Sequence, residues 1–223
     1  MSGGRMGGSV AVSRDLPELL LREPRLTLAV AESVTAGHVQ SRVAAVSGAS
    51  GFFLGGVTAY TLEQKVKLLG VDRAAANKVN CVSAQVAEEM ALGVCALFGA
   101  DVGVATTGYA EPSPADGVAV PMAWWAVAGR GARGKFSVRH GRVECPRASR
   151  VVAQTIVADA ALAELVARNP VHEDSRRGVA SLLRSAFAAF AAFLTTFFAD
   201  TPRTLCAFST STKYATRCRG YKY

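Results

Sequence analysis

A serine follows the first buried strand that the sequence predicts. In "LTLAVAESVTAG", residues 26–31 form a short, bounded apolar run, and Glu32, Ser33 and Thr35 come directly after it. Such a run is typical of a buried strand. Three interpretations of Ser33 stay open at this point: a helix N-cap, a hydroxyl that contacts a phosphate, or a nucleophile.

A nucleophilic Ser33 would need a base, and histidine is not an obvious one. The elbow pattern Gly-x-Ser-x-Gly is absent, and the three histidines are scattered along the chain. Lysine or tyrosine can take the proton instead. Tyr60 ends the second predicted strand (residues 55–61), and Lys65 lies in the predicted helix 62–70. Spacing alone places neither beside Ser33, and the ordinary roles are a packed tyrosine and a solvated lysine.

Two further segments are suited to holding an anion. Thr106, Thr107 and Gly108 end the third predicted strand (residues 101–108), where hydroxyl and backbone N–H groups can face a ligand. Arg147 opens the last predicted helix, where its side chain and the helix N-terminus would both favour a phosphate group.

The elements that must position these residues alternate between strand and helix. Helices are predicted over residues 13–23, from Thr35, after Ser83 as N-cap, and over residues 147–169. Residues 117–129 and 135–140 resemble an antiparallel strand pair. This alternation predicts a three-layer α/β/α sandwich around a mostly parallel mixed sheet. Ligands bind outside the carboxyl ends of such strands. The polar residues that end the first three predicted strands lie in that position.

Composition narrows the class of partner. The chain has 223 residues, of which 50% are apolar, with a formal net charge of +8. Residues 1–170 hold 17 Lys/Arg against 14 Asp/Glu, so the body is only mildly basic and we expect a small-molecule ligand rather than nucleic acid. Five cysteines without a Cys-x-x-Cys pair argue against a disulfide scaffold or a zinc site and favour a reducing, cytoplasmic compartment.

The two ends of the chain differ from its body. Residues 1–24 are predicted to be a flexible segment with a short helix, without the apolar core of a secretory signal. Residues 171–223 contain an Ala/Phe-rich apolar helix at 179–200 and then a basic tail. Its apolar run after Arg184 is about 15 residues, short of the ~20 residues that span a bilayer. The helix is interpreted as docked on the body or on a partner, or as weakly membrane-associated through 179–199.

Four segments together resemble a known family. They are "AESVTAG", "FFLGGVTAYTLEQKVKLLGV", "VSAQVAEEMALG" and "GADVGVATTGYAEP", in order along residues 26–169. They are similar to the C-terminal domain of the competence-damage-inducible protein CinA, with its patterns Ala-Glu-Ser-x-Thr-Gly-Gly, Phe-x-Gly-Gly-x-x-x-Tyr, Val-Ser-x-x-Val-Ala and Thr-Gly-x-Ala-Gly-Pro. The resemblance assigns residues 25–170 to one such domain.

The resemblance implies an activity. Stand-alone members hydrolyse the carboxamide of nicotinamide mononucleotide to nicotinic acid mononucleotide and ammonia. They need neither a metal nor an organic cofactor, and the resemblance implies a homodimer. By this resemblance Ser33 is the nucleophile, and Lys65 and Tyr60 activate it and shuttle protons. The substrate-binding residues would be Glu32, Thr35, Thr107, Gly108 and Arg147. The N-terminus of the helix after Ser33 would supply N–H donors for the oxyanion.

The chain also departs from the family pattern. Ala36 stands where the family has Gly, which predicts less room for a ligand beside that backbone, and Glu111 also replaces a Gly. The segment before the last helix offers Arg142, Arg147 and Arg150 as anchors, and Arg147 is preferred because it opens the predicted helix. Two alternatives stay open: a catalytically weakened mononucleotide-binding protein, and an assembly or membrane-docking protein that acts through its tail.

Overall fold

The computed structural model describes residues 15–131 and 134–167. Within these ranges five strands form one sheet: β1 (Leu28–Glu32), β2 (Phe53–Thr58), β3 (Val102–Tyr109), β4 (Met122–Arg130) and β5 (Phe136–Glu144). The α-helices are α1 (residues 15–20), α2 (His38–Ala44), α3 (Leu62–Leu69), α4 (Arg73–Lys78), α5 (Ala84–Phe98) and α6 (Arg150–Ala167).

The sheet has the order β2-β1-β3-β4-β5. β1 pairs in parallel with both β2 and β3, whereas β4 is antiparallel to β3 and to β5. Four strands therefore point the same way and β4 alone runs against them, which confirms the predicted mostly parallel mixed sheet. The carboxyl ends of β1, β2 and β3 lie at one edge, since Glu32 is in register with Thr58 on one side and Thr106 on the other.

Helices cover both faces of the sheet, which confirms the three-layer architecture. On one face, residues of α1, α2 and α6 pack against Val30 of β1 and Val104 of β3. On the other face, residues of α3, α4 and α5 pack against Ala31 and Ala105. The alternate side chains of each central strand thus enter opposite cores, as the period of two along a strand requires.

The predicted ends of α5 are confirmed. The Ser83 side chain accepts a hydrogen bond from the Val86 N–H, and Gly99 follows the helix in the left-handed conformation. In the same way Thr61 caps α3 by accepting from the Gln64 N–H. Each cap depends on residues that are close together in the chain. The sequence alone was therefore enough to predict where α5 starts and ends.

A glycine contact sets the distance between α3 and α5. A Cβ atom added to Gly93 of α5 would lie 2.0 Å from the carbonyl oxygen of Leu69, the last residue of α3. No side chain fits at that distance, so Gly93 lets the two helices approach closely. Lys65 lies on α3, and its position in the molecule depends on this contact.

The structure differs from the sequence-based expectations in several places, and β2 ends at Thr58, before Tyr60, rather than at residue 61. α2 begins at His38 rather than at Thr35, α6 begins at Arg150 rather than at Arg147, and α4 was not expected. Arg147 has a φ of 64°, a left-handed conformation that cannot belong to a right-handed helix. Arg147 therefore does not open the last helix, and that expectation was wrong.

The chain divides into two units, Met1–Val179 and Ala180–Tyr223, and all described residues belong to the first. The predicted tail helix at 179–200 lies outside the described residues. Within the described ranges, no helix combines the length and the apolar character needed to cross a membrane.

Candidate active site

Ser33 and Lys65 are in direct contact. Ser33 follows β1, and its backbone N–H donates to the Thr106 carbonyl, which extends the pairing of β1 with β3 by one residue. The Lys65 Nζ lies 2.9 Å from the Ser33 Oγ and 2.9 Å from the Tyr60 carbonyl oxygen. The fold thus brings together two residues that are 32 positions apart in the sequence.

Lys65 is an unusual lysine because it is only 2% exposed. Burial lowers the pKa of its amine, since desolvation penalises the charged form. The Cys81 thiol opposes this shift when it is ionised, but burial raises the pKa of that thiol. Lys65 therefore has neutral partners at neutral pH, and its amine releases a proton more readily than an exposed lysine does.

Glu32 holds the turn between β1 and α2. Its carboxylate is fully buried and accepts hydrogen bonds from the N–H groups of Gly37, Val39 and Gln40, at 2.9, 3.1 and 2.8 Å. A carboxylate at a helix N-terminus satisfies donors that the helix itself leaves free. Glu32 consequently fixes the direction of the chain on either side of Ser33.

This arrangement overturns one expectation about catalysis. The N–H groups at the start of α2 were expected to stabilise an oxyanion, but the Glu32 carboxylate already occupies them. The Ser33 N–H is likewise engaged by the Thr106 carbonyl. These donors belong to the turn and not to the cavity.

Replacing Glu32 by Gln should destabilise the fold without a change in volume. The amide offers one acceptor oxygen in place of two and turns an NH₂ group towards backbone donors, so we expect the free energy of unfolding to fall by about 2–4 kcal/mol. Denaturant unfolding measures this. Glu18→Gln on α1, where the side chain is 76% exposed, is the matched control. Equal stability of Glu32→Gln and the wild type would contradict the structural role.

Thr35 and Ala36 complete the turn but do not line the cavity. The Thr35 hydroxyl is buried against the Thr106 hydroxyl, with 2.6 Å between the oxygens. Ala36 is exposed and has a φ of 48°. The predicted loss of room for a ligand at Ala36 is therefore not found; the residue strains its own backbone instead.

We expect Ala36→Gly to stabilise the protein by about 1 kcal/mol, because glycine adopts the left-handed conformation without a Cβ penalty. Denaturant midpoints compared with those of Ala44→Gly, at the exposed last residue of α2, provide the check. Ala44→Gly should lower the free energy of unfolding, since Ala44 lies in a right-handed helix, where glycine is less favourable than alanine. A loss of stability in Ala36→Gly would mean that the methyl group packs usefully.

A cavity of about 470 Å³ opens above Ser33 and Lys65. Thr107 and Gly108 of β3 form part of its wall. A Cβ at Gly108 would lie 2.4 Å from the Met122 carbonyl oxygen, so only glycine fits between β3 and β4 here. The Thr107 hydroxyl donates to the Cys81 carbonyl at 2.7 Å and thereby ties β3 to the segment before α5.

The segment between α4 and α5 forms an adjoining part of the wall. Asn80 and Cys81 are both left-handed, with φ values of 47° and 61°, and both line the cavity. The Asn80 amide donates to the Tyr109 hydroxyl at 3.0 Å. The sequence-based reasoning missed this part of the wall. Asn commonly adopts the left-handed conformation, but nothing marks a cysteine for it, so only Asn80 carried a local signal.

Tyr60, Glu111 and Arg150 form a contact group that lines the cavity. The Arg150 guanidinium donates to the Glu111 carboxylate at 2.5 Å and to the Tyr60 hydroxyl at 3.0 Å. The hydrogen bond to Glu111 raises the pKa of Arg150, which therefore keeps its charge. Arg147 is exposed and does not line the cavity, so Arg150 is the arginine that the structure brings to it.

The structure thus brings most of the predicted site residues to one place. Five line the cavity: Ser33, Tyr60, Lys65, Thr107 and Gly108. Glu32 and Thr35 lie behind it, and Arg147 lies outside it. Tyr60 touches Lys65 through its carbonyl and not through its hydroxyl, so its part in proton transfer stays a prediction. Within the described ranges no group of His, Cys, Asp and Glu side chains is arranged to hold a metal ion.

Comparisons with known proteins agree with this fold. The family model of the CinA C-terminal domain matches residues 13–168. A CinA-like protein of Chlorobium limicola is 42% identical over 123 residues, which are 55% of this chain and 29% of that protein. A CinA-like protein of Chlorobaculum tepidum is 50% identical over 93 residues, 42% and 22% of the two chains. The aligned part of this chain thus spans less than a third of either relative.

Solved structures match over more of their length. A CinA superfamily protein from Enterobacter cloacae superposes with a TM-score of 0.65 at 26% identity, and the match covers 75% of this chain and 95% of that one. A competence/damage-inducible protein from Agrobacterium tumefaciens gives 0.63 at 25% identity, with 75% and 98% covered. Since the family model also covers most of the chain, the protein belongs to the CinA C-terminal domain family.

Proposed function

We propose that this protein hydrolyses the carboxamide of nicotinamide mononucleotide to nicotinic acid mononucleotide and ammonia. One observation carries the proposal: the Ser33 hydroxyl lies 2.9 Å from the buried Lys65 amine at a cavity wall. An amide is a poor electrophile, so a serine needs a base within hydrogen-bond reach to attack it. Lysine can be that base where burial favours its neutral form.

The reaction then proceeds in two halves. Neutral Lys65 accepts the Ser33 proton while the Oγ bonds to the carboxamide carbon. The resulting tetrahedral intermediate collapses, and the C–N bond breaks as Lys65 returns the proton to the leaving nitrogen, which departs as ammonia. The substrate's carbonyl carbon is now bonded to the Ser33 Oγ as an ester. A water molecule then attacks this carbon, and Lys65 again accepts a proton. The Ser33 oxygen leaves with that proton, and the free acid is released.

The cavity suits a ligand of this size and charge. Its volume of about 470 Å³ lies within the range of ordinary small-molecule sites. Arg150 lines it with a permanent positive charge, and a guanidinium binds phosphate through paired hydrogen bonds. Held at its phosphate, the substrate would be oriented for attack at its other end.

Purified protein given nicotinamide mononucleotide should release ammonia and nicotinic acid mononucleotide in equal amounts. A coupled ammonia assay and chromatography of the nucleotides measure the two products. A control with nicotinamide alone tests whether the nucleotide part is needed. Folded protein that binds the mononucleotide but yields no ammonia would contradict the proposal.

That negative outcome would favour a second candidate, a mononucleotide-binding protein with weakened turnover. The observation behind it is the Glu111 carboxylate on Arg150, which an anionic ligand has to displace. A role for the tail in assembly or membrane docking concerns residues outside the described ranges. Homodimer formation and a cytoplasmic location also stay predictions.

A further inference from the structure

The Arg150 guanidinium is already engaged within the cavity. One of its terminal nitrogens lies 2.5 Å from the Glu111 carboxylate, and the other lies 3.0 Å from the Tyr60 hydroxyl. All three residues line the cavity. The cation that would attract an anionic ligand is therefore paired with a carboxylate of the same chain.

Glu111 has no other side-chain hydrogen bond or ion pair in the described part of the chain. It follows β3 in a segment whose second carboxylate, Asp116, accepts instead from the Ser113 hydroxyl at 2.5 Å and the Asn80 amide at 3.3 Å. Asp116 is thus held by Ser113 of its own segment and by Asn80, whereas Glu111 reaches across to α6. The ion pair of Glu111 with Arg150 at the start of α6 is therefore the polar contact that the structure shows for its side chain.

The pair is also open to exchange. The side chains of Arg150 and Glu111 are 47% and 59% exposed, and ion pairs at such exposure are weak. A phosphate presents the same kind of charged oxygen acceptors as the carboxylate, so the two compete for the guanidinium. An uncharged ligand gains nothing from displacing Glu111.

We propose that Glu111 is a specificity-determining residue, which occupies Arg150 and lowers the affinity of the cavity for anionic groups. An anionic ligand binds by replacing the Glu111 carboxylate on the guanidinium. Glu111 thereby reduces the preference for a phosphate-bearing ligand over its phosphate-free counterpart. The inference rests on the proposed function only in taking the ligand to be a nucleotide.

Binding measurements test this without any need for turnover. Inorganic phosphate, nicotinamide mononucleotide and the phosphate-free nicotinamide riboside are titrated by calorimetry into the wild type and Glu111→Gln. Removing one negative charge from the anion site should tighten the binding of phosphate and of the mononucleotide about two- to fivefold, and it should bring no gain for the riboside, whose pyridinium ring is cationic. The gain should shrink as added salt screens the charges.

A matched control is available on the surface. Glu144 forms a similar exposed ion pair with Arg142 at 2.6 Å, and neither residue lines the cavity. Glu144→Gln should leave the affinity for all three ligands unchanged. A gain of the same size in this variant would show that net charge alone is responsible and would overturn the proposal.

A double substitution separates competition for Arg150 from simple repulsion. In an Arg150→Gln background the additional change Glu111→Gln should bring little further gain in phosphate affinity, because no cation is left to be freed. A gain of the same size in that background as in the wild-type background would overturn the role of the ion pair. Unchanged or weaker phosphate binding in Glu111→Gln alone would overturn the proposal altogether. A protein that binds as expected but releases no ammonia would contradict only the proposed function.

Discussion

Replacing Ser33 by Ala should reduce ammonia release from nicotinamide mononucleotide at least a thousandfold, with the fold intact. The substitution removes the oxygen that bonds to the carboxamide carbon, and no other group in the proposed reaction forms that bond. Ser33 is 7% exposed and its hydroxyl has Lys65 as partner, so the loss of one oxygen costs little packing. Single-turnover assays and nucleotide binding to the variant measure the effect.

Ser41→Ala is the matched control, because Ser41 is exposed on α2 and does not line the cavity. It should retain the wild-type rate. Full activity in Ser33→Ala would eliminate the serine as nucleophile while leaving the hydrolysis itself intact. Loss of activity together with loss of nucleotide binding would instead assign Ser33 to binding.

Replacing Lys65 by Met should reduce turnover by about 10²–10⁴-fold, the range expected for loss of a general base. Methionine fills a similar volume without an amine. Lys67→Met on the same helix provides the control, since Lys67 is exposed and outside the cavity. An active Lys65→Met variant would contradict the proposed base.

The pH dependence of the wild type adds a second measurement on Lys65. Turnover should rise with pH as the amine loses its proton, with a midpoint below the ordinary lysine value of 10.5 because burial lowers this pKa. Between the lowered pKa and 10.5 the unfolded chain binds more protons at Lys65 than the folded chain does. The stability of the wild type relative to Lys65→Met should therefore increase with pH over that window. A difference that is flat or falls with pH would contradict the lowered pKa.

The sequence predicted those features of the fold that depend on local chemistry. Ser83 and Gly99 bound α5 through their own side-chain and backbone preferences, and the apolar runs predicted the buried strands. The start of α6 was misplaced because the left-handed conformation of Arg147 is imposed by the loop before the helix. Because of that error, Arg147 rather than Arg150 was expected to anchor the substrate.

The candidate site could be predicted only where a family resemblance supplied what spacing could not. Nothing in the spacing of Ser33 and Lys65 indicates a 2.9 Å contact, which results from the packing of α3 beside the end of β1. Asn80 carried a local signal for the left-handed conformation, but Cys81 did not, and its carbonyl is held by a tertiary contact, the hydrogen bond from the Thr107 hydroxyl. Such contacts join segments far apart in the chain and leave no local pattern.

The close approach at Gly93 has a consequence for natural variation in this protein. Gly93 does not line the cavity, yet its missing side chain lets α3 lie where the Lys65 amine reaches Ser33. A missense change there would push the helix outward and separate the two reacting groups without altering either. Alleles that inactivate the protein can therefore arise in a residue whose position gives no hint of chemistry, and a survey confined to the cavity would overlook them.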